Sequence, residues 1–552
     1  MAMKKNTVGG KTNAASAAPA CRQAGPATRW GQKAAVHAPL LLTVALMLWV
    51  WVHFAIRHGY ILTYFEEQQM FLFTTDYFME RIAVPGGMAR YAAEFLVQFC
   101  RWPWLGALLT ALAFGALTWL CWLTACRPCL PAGRRSDRRS DSAHPTSSAG
   151  FVFALLPALL LWGYMADTAV MPAYIVALVA AVAVCTAVDT TRKNLIILLA
   201  AIPVVYHLCG TTVYIVTLYA TLRWLQRRGW LQAAVLTAWT ATIVGISTAY
   251  TPWPENRIFL GIPYYIHVHI PAMQVVLMAL TATCCLLAGL TSQTAASHQW
   301  SWARRWWLGG IALIIAGGHL AATRYNDSLH DVMNYNAMVK AERWDDILRH
   351  ANEGRLVTTM SVAATDLALA VKGQLSRQMA IYPQNGPEGL FMNLQDDQLS
   401  LLTVGEIFFR LGMMNEAQRY FFDAQESVTD YNRSVRLTAR LAEIELVNGE
   451  YDAAKKYLHT LQHTLFYRHW AEERLQLIAL GDQAIDSHPT YGPLRRFRPV
   501  TDYMYHPDHL FDNLRELCTR CPDNVMAAQY LQAATILAEQ RFRNQAITKR
   551  RK

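Results

Sequence analysis

At 552 residues, with 50 Lys and Arg against 39 Asp and Glu, the chain is longer than one ordinary domain and carries a formal charge of +11. The charge divides unevenly: Met1–Thr323 holds 23 basic and 10 acidic residues, whereas Arg324–Lys552 holds 27 and 29. Because the basic excess sits in short segments between apolar runs, membrane topology accounts for it, and we expect no nucleic-acid partner.

Residues 1–38 are rich in Ala, Gly, Lys and Thr and lack apolar periodicity, which predicts a basic, disordered cytoplasmic tail. From Pro39 to about Thr323 the sequence reads as a polytopic bundle of about nine membrane-crossing helices, each near the ~20 residues that a bilayer requires. The expected spans are Pro39–Ile56, Trp104–Ala125, Phe151–Val170, Pro172–Val188, Leu195–Cys209, Thr211–Leu222, Trp230–Tyr250, Ala272–Leu290 and Trp306–Thr323. The pair around Gly210 also fits a re-entrant hairpin. With the amino terminus inside, inner segments carry eighteen Lys and Arg, and outer segments carry only Arg57, Arg81, Arg90, Arg101 and Arg257. That asymmetry predicts a multi-pass protein of a bacterial inner (cytoplasmic) membrane, with its partner the lipid bilayer and its carboxy-terminal region periplasmic.

From Arg324 the texture changes to helical periods with charged faces, predicting an all-α region over 324–540 and a basic tail over 541–552. Gly405, Phe408, Gly412, Ala417, Phe421 and Ala424 alternate small and large residues, and Ala442, Gly449, Ala454 and Leu458 repeat the pattern. These two units resemble tetratricopeptide repeats. The resemblance implies stacked helical hairpins whose concave face recruits a protein partner. Gly412 to Gly449 spans 37 residues against the usual ~34, so a longer turn is expected near Thr429–Arg433. Trp344–Leu348 with Ala351 reads as a degenerate unit. Cys518 and Cys521 fit either a local disulfide or two thiols. Cys126 and Cys129 lie across the expected membrane from them, so the two CxxC pairs cannot share one zinc ion.

The first outer segment, residues 58–101, holds most of the candidate chemistry. Glu66 and Glu67 follow the first span directly, where adjacent carboxylates are costly unless they face water, pair with cations or hold a metal. Met88–Gln98 places Tyr91, Phe95 and Leu96 at helical spacing, as an interfacial helix would. In layout, an acidic pair in the first outer segment beside an interfacial helix resembles the GT-C-type membrane glycosyltransferases. Some of those join a repeat domain on the same side of the membrane. The resemblance implies sugar transfer from a polyprenyl-phosphate-linked donor, with Glu66 or Glu67 as catalytic base or as orienter of a divalent metal. The family pair is usually built on Asp, and this chain has Glu.

Other polar residues expected on the same face are Asp167, His207, Arg257, Tyr264, His267 and His269. Arg257 or a histidine fits a donor phosphate, and Tyr264 fits a sugar or polyprenyl chain. His267 and His269 fit a metal only if a third ligand joins them. No Walker loop, dinucleotide glycine motif, HExxH or GxSxG is present, which argues against an ATPase, a dinucleotide enzyme, a zincin or a typical serine hydrolase. The competing expectation is a non-catalytic, membrane-anchored repeat scaffold for an envelope assembly.

Overall fold

The computed structural model describes residues 26–126, 150–168, 170–188, 194–251, 253–261, 272–295, 300–325, 328–354, 358–392, 398–428, 433–499 and 509–551. Among them every regular element is helical. The first half comprises α1 (Pro26–Val52), α2 (Gly59–Glu67), α3 (Thr75–Ile82), α4 (Gly87–Val97), α5 (Pro103–Cys126), α6 (Phe151–Tyr164) and α7 (Pro172–Ala187). It continues with α8 (Leu195–Cys209), α9 (Val213–Gln226), α10 (Trp230–Ser247), α11 (Glu255–Leu260), α12 (Ala272–Ala295) and α13 (Trp300–Thr323).

Among the described residues five stretches are long and apolar enough to cross a membrane: His37–Arg57, Pro103–Thr124, Leu195–Gln226, Trp230–Ser247 and Ala272–Thr291. Phe151–Tyr164, Pro172–Ala187, Trp307–Thr323 and, in the second half, Thr359–Val371 are apolar but shorter. Their outward faces leave Leu40, Leu41, Leu48, Ile196, Ile197, Val204 and Leu231 exposed, an apolar belt that water would not tolerate and lipid would. The segment expected to be a structureless tail departs from expectation at its end, since α1 already begins at Pro26. Proline at a first helical position loses no hydrogen bond, and the long apolar helix behind it propagates backward from there. Residues 1–25 lie outside the described residues, as do Cys129 and the expected longer turn at 429–432.

Side-chain contacts fix the helix directions. Trp239 Nε1 donates to the Leu199 carbonyl at 2.8 Å and Tyr206 Oη meets Ser247 Oγ at 2.8 Å, so α8 runs parallel to α10. Thr217 meets Thr240 at 2.9 Å and Thr221 meets Thr237 at 3.3 Å, so α9 runs antiparallel to α10. The apolar run 195–226 therefore doubles back at Gly210, whose φ of +64° suits glycine. Gly310 packs on Leu42 and Leu155, and Gly318 on Trp49 and Trp162, which makes α1, α6 and α13 parallel. Tyr174 Oη donates to the Gln274 carbonyl, placing the starts of α7 and α12 at one end. At the other end Tyr219 Oη reaches the Thr124 carbonyl. Among the described residues the nine longer helices of the first half thus alternate in direction, and residues 58–101 cap one end, which we call the upper end.

That cap is more structured than expected, with three short helices where one was foreseen. Thr74 accepts from the Tyr77 amide to start α3, and Gly86, at φ +82°, turns the chain into α4. Gly86 and Gly210 pack so closely that a Cβ on either would sit 3.3 Å from the other's Cα, and the Gly86 amide donates to the His207 carbonyl at 2.9 Å.

The second half begins with α14 (Ser328–Lys340), α15 (Trp344–Asn352), α16 (Thr359–Val371) and α17 (Leu375–Gln378). Consecutive hairpins follow: α18 (Gln398–Leu411) with α19 (Met414–Glu426), α20 (Val435–Asn448) with α21 (Tyr451–Gln462), and α22 (Arg468–Leu480) with α23 (Asp482–Ser487). The chain closes with α24 (Tyr491–Phe497), α25 (Leu510–Arg520) and α26 (Val525–Arg551). Gly405 lies against the Phe421 ring, where an added Cβ would be 2.9 Å away, and Phe408, Ala417, Ala424, Ala442, Ala454 and Leu458 are all buried between hairpins. Cys518 and Cys521 are free thiols, and Cys521 Sγ donates to the Arg496 carbonyl at 2.9 Å.

Asp366 is fully buried in α16 with only Gln384 Nε2, at 3.1 Å, donating to it, and burial raises its carboxyl to about 7. A carboxyl whose folded value lies above its unfolded 3.8 binds more protons when folded. Stability from this site is therefore full at acid pH and falls as pH rises from about 4 to 7. We expect Asp366→Asn to flatten that slope and to stabilise the protein at pH 8 by more than about 1.4 kcal/mol, the value of one pKa unit. Thermal melts across pH test this, and an unchanged slope in the variant would refute it.

Candidate functional site

Glu66 and Glu67 end α2, where the exposed carbonyls of a helix carboxy terminus repel negative charge. Both are buried, so their cost is met only by partners. The second half supplies them. Arg436 Nη1 lies 2.7 Å from Glu67 Oε1, Asn336 Nδ2 donates to Glu67 Oε2 at 2.8 Å, and Lys340 pairs with Glu66 and lies 3.4 Å from Glu67 Oε1. Arg436 also donates to Asn336 Oδ1 at 2.9 Å. Burial pushes the Glu67 carboxyl up, but Arg436, Lys340 and the bonds from Asn336 and Arg436 outweigh it and hold the carboxyl below its usual range. Burial likewise pulls Lys340 down, and Glu66 and Glu67 outweigh it and raise the ammonium.

The pair is therefore held by α14 and by α20 of the hairpins. Behind it the charges continue across one wall: Arg440 forks onto Glu406 at 2.9 Å and reaches Glu443 at 2.6 Å, and Tyr491 Oη donates to Glu443 at 2.9 Å. Arg436, Arg440 and Glu443 recur at helical spacing on one face of α20, and Glu406 stands opposite on α18. These first helices of successive hairpins face downward onto the cap.

Between the hairpins and the bundle lies an open cleft of about 860 Å³. Its floor is the end of the first long helix and the start of α5, through Ile56, Arg57, Arg101 and Pro103. Its walls come from α14, α15, α18 and α20 and from Tyr467 and Trp470. Lys340 and Arg436 line it, whereas Glu66 and Glu67 do not.

The other expected site residues are dispersed. Asp167 is exposed in the turn after α6, close enough to α2 that, after burial and Glu67, it helps raise the Tyr64 hydroxyl to about 12. His207 is exposed at the upper end of α8 and contributes its carbonyl to Gly86. Arg257 is half-buried on α11, which packs on the α8–α9 turn through Tyr214 Oη and the Phe259 carbonyl at 2.9 Å. None of the three lines the cleft. Tyr264, His267 and His269 lie outside the described residues.

A divalent metal does not fit the acidic pair, because its oxygens face an ammonium, a guanidinium and an amide N–H. Among the described residues no three His, Cys, Asp or Glu side chains gather as a ligand set. Sequence reasoning missed Lys340, Asn336, Arg436 and Arg440. The signal was there for the last two: arginines one turn apart on a helix whose remaining positions are mostly apolar.

No curated protein and no solved structure matches this chain. A family model does, over residues 34–548, which takes in both the helical bundle and the hairpin region that roofs the cleft. The chain belongs to the family of unknown function DUF6057.

Proposed function

We propose that this protein is a polytopic inner-membrane enzyme of GT-C-like layout, which transfers a sugar from a lipid-linked donor inside the cleft at the periplasmic face. The hairpins are tetratricopeptide-like units that roof the reaction space. Nine crossings are supported by five long apolar stretches, one of which doubles back at Gly210, together with the three shorter apolar helices of the first half, in alternating direction. The amino terminus is then cytoplasmic and the helical domain periplasmic.

The observation that carries the reading is the cleft itself, an 860 Å³ polar space resting on the end of the first span. It also weighs against the scaffold alternative. The face of the repeats that would receive a protein partner is turned onto the chain's own cap and plugged by Glu66 and Glu67. In this reading the acidic pair positions the roof. Among the lining carboxylates, Asp346, Glu406 and Glu443 are held by arginines, whereas Glu353 has, among the described residues, only His350 at 4.0 Å and is the group open to take a proton.

Ala341→Trp tests it by filling the cleft from an exposed position on its wall, away from the ion pairs. Cells carrying the variant at normal abundance should lose an envelope glycoform that the parent produces. An intact glycan profile would refute the enzyme, and loss of a co-purifying protein in its place would favour the scaffold.

A further inference from the structure

The cleft is rich in charge, and nearly all of it is internally matched. Lys340 is matched by Glu66 and Glu67, Arg436 by Glu67 and Arg440 by Glu406 and Glu443. On the rim, Arg343 and Arg349 share Asp346 at 3.5 and 2.8 Å. Two cations remain. Arg57 and Arg101 line the same cleft, both are exposed, and neither has a carboxylate partner among the described residues.

Both stand on non-α turns that abut. Arg57 ends a π-helical turn, His53–Arg57, that widens the first span just where it leaves the bundle, a rare feature that recurs at functional sites. Arg101 ends the 3-10 turn Gln98–Arg101 that leads into α5. Gly59, two residues after Arg57, packs so tightly on Pro103, two residues after Arg101, that a Cβ there would lie 2.9 Å from the Pro103 ring. Arg101 is steadied from above by the Tyr467 ring, 4.6 Å away. Trp102 and Trp104, both exposed, follow immediately and suit the membrane interface.

We propose that Arg57 and Arg101 form a phosphate clamp at the mouth of the cleft, between the upper ends of the first two spans. The clamp takes the phosphate of a lipid whose tail stays in the bilayer and whose polar head enters the cleft. This rests on the cleft being the working site, and it moves the phosphate contact from Arg257 to a place where unmatched positive charge meets the lipid surface. Guanidinium groups suit the role because each offers two parallel donors to phosphate oxygens.

The test uses the full chain in phosphatidylcholine nanodiscs containing a few mole per cent phosphatidic acid, a simple phosphate-monoester lipid. Native mass spectrometry counts the lipid retained, with and without millimolar inorganic phosphate. The parent should retain phosphatidic acid over phosphatidylcholine. Arg57→Gln and Arg101→Gln should each cut retention about tenfold and the double variant about a hundredfold, as expected for lost charge-assisted contacts. Arg57→Lys/Arg101→Lys should restore part of it, and the melting temperature should barely move, since both side chains are exposed and Arg101 gives up only its contact with the Tyr467 ring. Displacement by inorganic phosphate would keep the clamp and make its ligand a soluble phosphate. Equal retention by parent and double variant would overturn the clamp and leave the enzyme reading standing. An intact glycan profile in Ala341→Trp alongside lost retention in the double variant would do the reverse.

Discussion

Glu67→Ala is expected to destabilise the joint between the bundle and the helical domain by about 3 kcal/mol, because it takes from buried Arg436 its closest counter-charge, leaving only Glu406 at 3.9 Å, and leaves Lys340 with Glu66 alone. Glu67 is 1% exposed and Arg436 8%, so water takes over little of the lost role there, whereas Lys340, 20% exposed, keeps Glu66. Limited proteolysis in nanodiscs should cut near Thr323–Ser328 much faster than in the parent, and the first thermal transition should fall. Glu67→Gln keeps hydrogen-bonding atoms and loses the charge, so it should fall between the two. Glu67→Leu with Arg436→Met should recover much of the loss, since an apolar pair avoids the desolvation cost altogether. If Glu67→Ala resists protease like the parent, the lock is not what holds the domain.

The same lock fixes a pH window. Glu67 has a folded pKa held below 4.5, so its contribution is full above 4.5 and fades as pH falls through the lowered value. Lys340 has a folded pKa above 10.5, so its contribution is full below 10.5 and fades as pH rises through the raised value. Between those limits the joint should be insensitive to pH. A joint that loosens between pH 6 and 8 would point to a titrating group outside this network.

How much of this could be read from the chain depends on whether the determining interaction is local. Span positions follow from runs of apolar residues, and helix hairpins follow from small residues such as Gly405 and Ala417 facing aromatics such as Phe421. Both are signals within one or two turns. Glu66 and Glu67 were legible as a costly pair needing compensation, but three remedies were open: water, cations or metal. The answer lay in Asn336, Lys340 and Arg436, between 269 and 369 residues away, and no spacing rule spans that distance. Arg57 and Arg101 were legible as basic residues flanking spans, and their significance appears only once the other Lys and Arg of the cleft have been matched.

A second large effect is expected from Glu94, which is 0% exposed and stitches α3 to α4. It accepts from Tyr77 Oη, from Arg81 Nε at 2.9 Å and from Arg90 Nε at 3.1 Å, and the Arg81 guanidinium also covers the Tyr77 ring at 4.6 Å. Burial pushes the Tyr77 hydroxyl up and Glu94 adds to it, so the phenol stays protonated and donates. Glu94→Ala takes from Arg81, 2% exposed, its closest counter-ion and leaves it Glu80 at 3.6 Å, which should cost about 3 kcal/mol, read as faster hydrogen exchange over residues 75–97. Glu80→Ala is the fitting control. It breaks the Arg433 contact at 3.1 Å and a longer one to Arg81 at 3.6 Å, at a carboxylate one-third exposed, where such pairs contribute about 1 kcal/mol or less. The two large losses separate physically, because Glu94 binds helices within the cap whereas Glu67 binds the cap to the roof. Their costs should therefore add to within about 0.5 kcal/mol. Strong non-additivity would mean that the cap folds only against the hairpins, making the joint one cooperative unit and not two contacts in series.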